Sequence, residues 1–140
     1  MNNKWDNRFL DMAALVATWS KDPSTQVGAV IVDKDNRVVS VGFNGFPQHM
    51  PDHTDSYSNR EEKYSRVIHA EMNALLFSNR PVHGCTIYST LLSCDRCFVH
   101  LAQAGITRFV SPIAETERPW FVTVRKYAVE MGITLSEIPR

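Results

Sequence analysis

The sequence predicts an α/β fold: a single domain over residues 1–140, arranged as three α/β/α layers around a mixed five-stranded sheet. Three observations carry that expectation. An apolar pattern of helical period opens the chain, and two short β-branched runs flanking a turn-rich tetrapeptide follow it. From Thr86 onwards, strand and helix patterns alternate. The first two features give a helix and an antiparallel hairpin, whereas alternation implies parallel strands joined by crossover helices.

Trp5 to Trp19 is the first helix. Phe9, Met12, Ala13, Leu15, Val16 and Trp19 recur near the 3.6 period, leaving Asp6, Arg8 and Asp11 for solvent. Lys21-Asp22-Pro23-Ser24 stops it, because proline disfavours helical backbone at the residue before it. Val27 to Val32 is a buried strand, Asp33-Lys34-Asp35-Asn36 supplies the turn, and Arg37 to Phe43 returns as the second strand.

Asn44 to Arg66 breaks the pattern. Gly45, Pro47, Pro51, Asp52, Asp55, Ser56, Ser58 and Asn59 predict a long polar connection without periodicity. Connections of that length in a compact domain are usually functional. Tyr57, Arg60, Lys63, Tyr64 and Arg66 cluster at its end, just ahead of His69, and are candidates for substrate contact.

Val67 to Phe77 predicts the second helix, with an apolar face of Ile68, Met72, Leu75 and Leu76 and a stop at Asn79-Arg80-Pro81. Thr86 to Leu91 is the third strand, and Ser93 and Cys94 begin the next helix. Phe98, Leu101, Ala102 and Ala104 are that helix's apolar positions, and Gly105 is its C-terminal stop. Thr107 to Val110 is a fourth strand, Trp120 to Met131 a helix closed by Gly132, and Ile133 to Ile138 the fifth strand.

Fifteen basic and fifteen acidic residues cancel, which excludes a global field for nucleic acid or an anionic membrane. A local basic pocket for one phosphate is compatible with that balance. At 44% hydrophobic and 21% charged, the composition is that of a water-soluble domain. Met1 to Leu10 is polar, unlike a signal peptide, and no apolar run approaches a membrane span. Three cysteines, two of them in C-x-x-C spacing, fit metal thiolates in a reducing compartment better than a disulfide framework. The expected setting is cytoplasmic.

The chemistry concentrates in Val67-Ile68-His69-Ala70-Glu71 and in the pair Cys94 and Cys97. Zinc in a catalytic site takes three protein ligands and keeps its fourth position for water. His69, Cys94 and Cys97 supply three ligands, and Glu71 stands close enough to act on that water without ligating. Both groups fall at predicted helix starts, where the positive end of the helix favours thiolate over thiol. Taken singly, His69 or Glu71 reads as a surface residue, and Cys94-x-x-Cys97 as a redox pair or half of a structural zinc knuckle. A knuckle needs a fourth ligand, and Cys85, His49, His53, His83 and His100 show no ligand-type spacing. Cys85 reads as a small buried apolar residue, and His100, three beyond Cys97, is the strongest of the five.

With these residues in place, the sequence resembles the cytidine/deoxycytidylate deaminase family, whose signature is H-x-E followed by P-C-x-x-C. Within the family it is most similar to deoxycytidylate (dCMP) deaminases. The resemblance runs through Lys21-Asp22-Pro23-Ser24-Thr25-Gln26-Val27-Gly28-Ala29, Gly42-Phe43-Asn44-Gly45-Phe46-Pro47 and Lys63-Tyr64. It continues in His69-Ala70-Glu71-Met72-Asn73-Ala74, Gly84-Cys85-Thr86-Ile87-Tyr88 and Gln103-Ala104-Gly105-Ile106. It implies the cytidine-deaminase-like fold, bound Zn2+, and hydrolytic deamination of dCMP to dUMP with release of ammonia, supplying dUMP for thymidylate synthesis. It also implies that Glu71 is catalytic and that Asn44 holds the deoxyribose. Ser24, Thr25 and Gln26 would lie by the phosphate, with Lys63 and Tyr64 near the same end and Ala70 against the substrate. Homo-oligomers, as hexamer or dimer, and dCTP and dTTP as effectors belong to the same expectation.

One departure stands inside the motif. The family has proline before the first cysteine, and this chain has Ser93. Serine serves as an N-cap, accepting from the Asp95 or Arg96 amide, so zinc binding is expected to survive with a differently shaped pocket mouth. That opens the alternative of a 5-substituted dCMP or CMP as substrate. A nucleic-acid base deaminase and a non-catalytic zinc nucleotide-binding module are the remaining readings. The segment Glu117-Arg118-Pro119-Trp120 is also less typical of dCMP enzymes, and Trp120 is expected to pack rather than to cover the site.

Overall fold

The run Gly28–Val32 has no solvent-facing side, for all five of its residues are buried. A strand with two apolar faces needs helices above and below it, and the computed structural model, which describes residues 3–51 and 54–140, supplies them. In chain order the elements are α1 (Lys4–Ala17), β1 (Gly28–Val32), β2 (Val38–Phe43), α2 (Thr54–Ser58), α3 (Arg60–Arg66) and α4 (Ala70–Leu76). Then follow β3 (Thr86–Ser89), α5 (Asp95–Gln103), β4 (Arg108–Pro112), α6 (Pro119–Met131) and β5 (Thr134–Ile138). The sheet order is β2-β1-β3-β4-β5. β1 runs antiparallel to β2 and β3, and β3, β4 and β5 are parallel. The mixed five-stranded sheet with helices on both faces is as the sequence predicts.

Alternation along β1 divides the core. Val30 and Val32 meet Phe9, Leu10 and Ala13 of α1 together with Tyr88 and Val110. Ala29 and Ile31 face the opposite layer, where Ala70 and Ala74 of α4, Phe98 and Leu101 of α5, and Phe121 and Val124 of α6 are buried. Two glycines let helix backbones lie directly on the hairpin. A Cβ on Gly28 would stand 2.0 Å from the Ala13 carbonyl oxygen, and one on Gly42 would stand 2.3 Å from the Ala74 nitrogen. Gly42→Ala therefore has to lift α4, and with it the segment carrying His69 and Glu71, away from β2. The expected loss is about 1–3 kcal/mol or more of stability, read as a lower melting temperature. Gly45→Ala, where the added carbon meets only the Tyr57 hydroxyl at 4.0 Å, is the matched control.

Several local expectations are corrected. α1 ends at Ala17, with Thr18 as C-cap, before Trp19 and well before Pro23. Leu10 and Ala17 join the buried face, whereas Met12, Leu15 and Trp19 are exposed. Asp6, expected in solvent, is only 1% exposed. It accepts hydrogen bonds from the Tyr88 hydroxyl at 2.8 Å and from Arg108 Nη1 and Nη2 at 2.9 and 2.8 Å. Burial opposes its charge, but the hydrogen bonds from Arg108 and Tyr88 outweigh it and lower the carboxyl.

The polar connection is not structureless, because it contains α2 and α3. Asn59 caps α3 by accepting from the Glu62 amide at 3.2 Å, and Phe46 stacks on Tyr57 with ring centres 4.2 Å apart. Asp52 and His53 lie outside the described residues, and so does the side chain of Asp55. The helix expected from Val67 begins only at Ala70. Ile68 is held extended by paired backbone hydrogen bonds with Gly45, at 2.7 and 3.1 Å. The buried face of α4 is accordingly Ala70, Glu71 and Ala74, and Leu76 is 63% exposed.

Candidate metal centre and active-site cavity

Two helix starts converge on one end of the sheet. His69 is the residue before α4, and Cys94 caps α5 with its Sγ accepting from the Cys97 amide at 3.4 Å. The capping role expected of Ser93 thus falls to Cys94. Ser93 is buried and does not line the cavity described below.

His69 Nδ1 lies 3.5 Å from Cys94 Sγ and 3.3 Å from Cys97 Sγ. All three ligand atoms fall within 4.8 Å of one another, and no other such group occurs among the described residues. A tetrahedral zinc, with Zn–N of about 2.0–2.1 Å and Zn–S of about 2.3 Å, sets its nitrogen and sulfur ligands about 3.5 Å apart. The donor set fits zinc in both kind and spacing. The Cys97 hydrogen bond and the His69 ring draw the Cys94 thiol towards thiolate, and the Cys94 sulfur in turn raises the His69 ring. Cys85, as expected, is a buried thiol that burial pushes up. His100 is exposed and bonded through Nδ1 to the Arg96 carbonyl at 2.7 Å, away from the cluster.

Glu71 sits in the first turn of α4 and is 4% exposed. Burial raises its carboxyl above the ordinary range, against the pull of His69 and a hydrogen bond from Ser89. Ser89 Oγ donates to Oε1 at 3.0 Å. The sequence offered no sign of Ser89, which reaches Glu71 from the end of β3.

A cavity of about 530 Å³ opens over this centre, within the ~300–1,000 Å³ range of small-molecule sites. His69, Ala70, Glu71 and Cys94 line it, together with Thr25, Asn44, Lys63 and Tyr64. Five of the seven substrate residues implied by the family resemblance are thus brought together, whereas Tyr57, Arg60 and Arg66, the other candidates from the polar connection, do not line the cavity. Ser24 is exposed and does not line the cavity, and its hydroxyl accepts from Lys63 Nζ at 2.8 Å. Gln26 does not line the cavity, and its amide donates to the Ser20 carbonyl at 2.8 Å. Asn44 pins the turn that holds Thr25. Its Oδ1 accepts from the Val27 amide and its Nδ2 donates to the Thr25 carbonyl, both at 2.8 Å.

Asp22 was legible as part of a helix stop and of the Lys21–Ala29 stretch, without a role of its own, yet it organises this wall of the cavity. It accepts from the Ser24 and Thr25 amides at 2.9 and 3.2 Å, an Asx turn, and pairs with Lys63 Nζ at 2.9 Å. Asp95, Arg118 and Trp120 also line the cavity. Trp120, expected to pack, is instead 39% exposed. Nothing in the local pattern signals that residues near 118 return to a site built by residues 22–97.

The comparisons with known proteins agree with this geometry. The model for the cytidine and deoxycytidylate deaminase zinc-binding region matches residues 3–112. The chain is 51% identical over 112 residues to an uncharacterized deaminase in the luxG 3' region of Aliivibrio fischeri, covering 80% of this chain and 75% of that one. It is 44% identical over 109 residues to a probable deoxycytidylate deaminase of Caenorhabditis elegans, covering 75% of this chain and 55% of the relative. The match therefore spans little more than half of the nematode protein. The structure of dCMP deaminase from the cyanophage S-TIM5 in complex with dCMP and dUMP superposes with a TM-score of 0.79 over 99% of both chains. At 23% identity, that likeness speaks for the fold. A three-ligand cluster of zinc spacing, a buried glutamate beside it and a family match over most of the chain lead to one conclusion: this protein belongs to the cytidine and deoxycytidylate deaminase family and carries its zinc-binding region.

Proposed function

We propose that the chain catalyses the hydrolytic deamination of dCMP to dUMP, releasing ammonia. The observation that carries this reading is the buried Glu71 carboxyl, in one cavity with His69 and Cys94 of the three-ligand cluster. Relatives named as deoxycytidylate deaminases support the choice of substrate.

His69, Cys94 and Cys97 would hold zinc, which when bound supplies a Lewis acid that makes water nucleophilic near neutral pH. Glu71 then serves as the proton carrier for both protons of the attacking water in turn, passing the first to the pyrimidine ring nitrogen and the second to the departing amino group, which leaves as ammonia. Ser89 fixes Oε1, which orients the carboxyl for that transfer. Asn44 and Asp22 hold the Thr25 turn, and Lys63 braces it, so that the wall facing the nucleoside is preformed. Assembly of several copies of the chain is part of the same reading, and the exposed Leu76, Phe77 and Val129 offer apolar surface for it.

Ammonia release measured across dCMP, CMP, deoxycytidine and 5-methyl-dCMP tests the assignment. The expected result is a kcat/KM for dCMP at least tenfold above that for deoxycytidine. Equal turnover of deoxycytidine would overturn the nucleotide assignment. Because Ser93 lies outside the cavity lining, the geometry gives no separate support to a 5-substituted substrate.

A further inference from the structure

The cavity's charges do not add up to a phosphate site at the place the sequence points to. Lys63 is the lining cation expected there, but its ammonium is already neutralised by Asp22, at 2.9 Å from Oδ2 and 3.1 Å from Oδ1. Asp22 is buried and fixed by two backbone amides, so that ion pair is part of the wall. Asp95 adds a further acidic side chain to the same lining. A nucleoside monophosphate carries up to two negative charges at neutral pH and needs a cation without an internal partner.

Arg118 is that cation. It lines the cavity, and its guanidinium lies over the Trp120 ring, 5.6 Å from the centroid. Among the described residues it is paired with no carboxylate. Its neighbour Glu117 is clamped by Arg125, which also binds Glu137 of β5 at 2.8 and 2.9 Å. The segment is thereby tethered to α6 and to the sheet, while the next side chain is left facing the cavity. Guanidinium suits this task because its planar fork matches two phosphate oxygens at once, and stacking on an indole costs it none of its donors.

We infer that Arg118, backed by Trp120, binds the 5'-phosphate of the substrate and sets the preference for nucleotide over nucleoside, while Lys63 is a positioning residue for the Asp22–Thr25 turn. This rests on the proposed dCMP reaction. It places the specificity determinant beyond residue 112, outside the segment that the family model matches.

The test compares wild type, Arg118→Gln and Arg118→Lys in steady-state ammonia release from dCMP and deoxycytidine, and in calorimetric binding of dUMP and deoxyuridine. Arg118→Gln is expected to raise KM for dCMP about 10–100-fold with a much smaller change in kcat, since loss of a charged hydrogen-bonding partner is worth about 1.5–3 kcal/mol. Its affinity for dUMP should fall towards that for deoxyuridine, and Arg118→Lys should recover part of the loss. A dCMP KM and dUMP affinity within twofold of wild type in Arg118→Gln would overturn the inference while leaving the dCMP reaction standing. A wild-type protein that turns over deoxycytidine as well as dCMP would overturn the underlying reading and the inference with it.

Discussion

Glu71→Gln is expected to lower kcat for ammonia release from dCMP by about 10²–10⁴-fold, the usual contribution of a positioned general acid–base, with zinc content unchanged. The amide keeps the shape of the carboxyl and can still accept from Ser89 Oγ, which now lies 3.0 Å from Oε1. It cannot carry a proton between water, ring nitrogen and leaving group. Glu71 is not among the three clustered ligands, so metal analysis of the purified variant should match wild type. The two measurements together separate proton transfer from metal binding. A variant that keeps its zinc and loses less than tenfold in rate would remove Glu71 from the chemistry.

Cys97→Ala carries the second large effect, a joint loss of zinc and activity. With His69 and Cys94 alone, two protein ligands remain where a catalytic site uses three. If a zinc site worth about 10–16 kcal/mol divides evenly among four ligands, each accounts for roughly 3 kcal/mol, or about 10²-fold in affinity. Cys97 is buried in the first turn of α5, so its removal also leaves a gap against the core that includes Phe98. Competition with a colorimetric chelator measures the affinity, and thermal melting with and without zinc measures the coupling to stability. Wild type should melt higher with zinc than after chelation, and Cys97→Ala should lose most of that difference. Cys85→Ala is the control: its thiol is buried away from the cluster, and zinc affinity should hold.

The readable parts of this chain are those whose signals are local. The β-branched run at Val30 to Val32, the turn at Asp33 to Asn36 and the glycine at 132, with its φ of 68°, each announce their structure within a few residues. The ligand triad was legible because His69 and the Cys94–Cys97 pair are each diagnostic before folding brings them together. What escaped notice was decided at a distance. Asp6 reads as solvent-facing on its own helix, and only Arg108 and Tyr88, far along the sequence, make its burial tolerable. Ile68 looks helical by periodicity, yet the backbone groups of Gly45 claim it for an extended bridge. Ser89 and Arg118 carry no pattern at all, since a lone polar side chain has meaning only once a cavity gives it neighbours.

The sheet order has a consequence for how the molecule is made. β1 pairs on one edge with β2, close in sequence, and on the other with β3, where Val30 faces Tyr88. Pairings so far apart along the chain form late, after the entropy of closing a loop of about sixty residues has been met. On a ribosome adding about 5–20 residues per second, that interval is roughly 3–12 s. Throughout it, a strand whose residues are all hidden in the finished sheet presents an open apolar edge to other nascent chains. Yield of folded protein should therefore depend on synthesis rate and on chaperone supply more than the final stability would suggest.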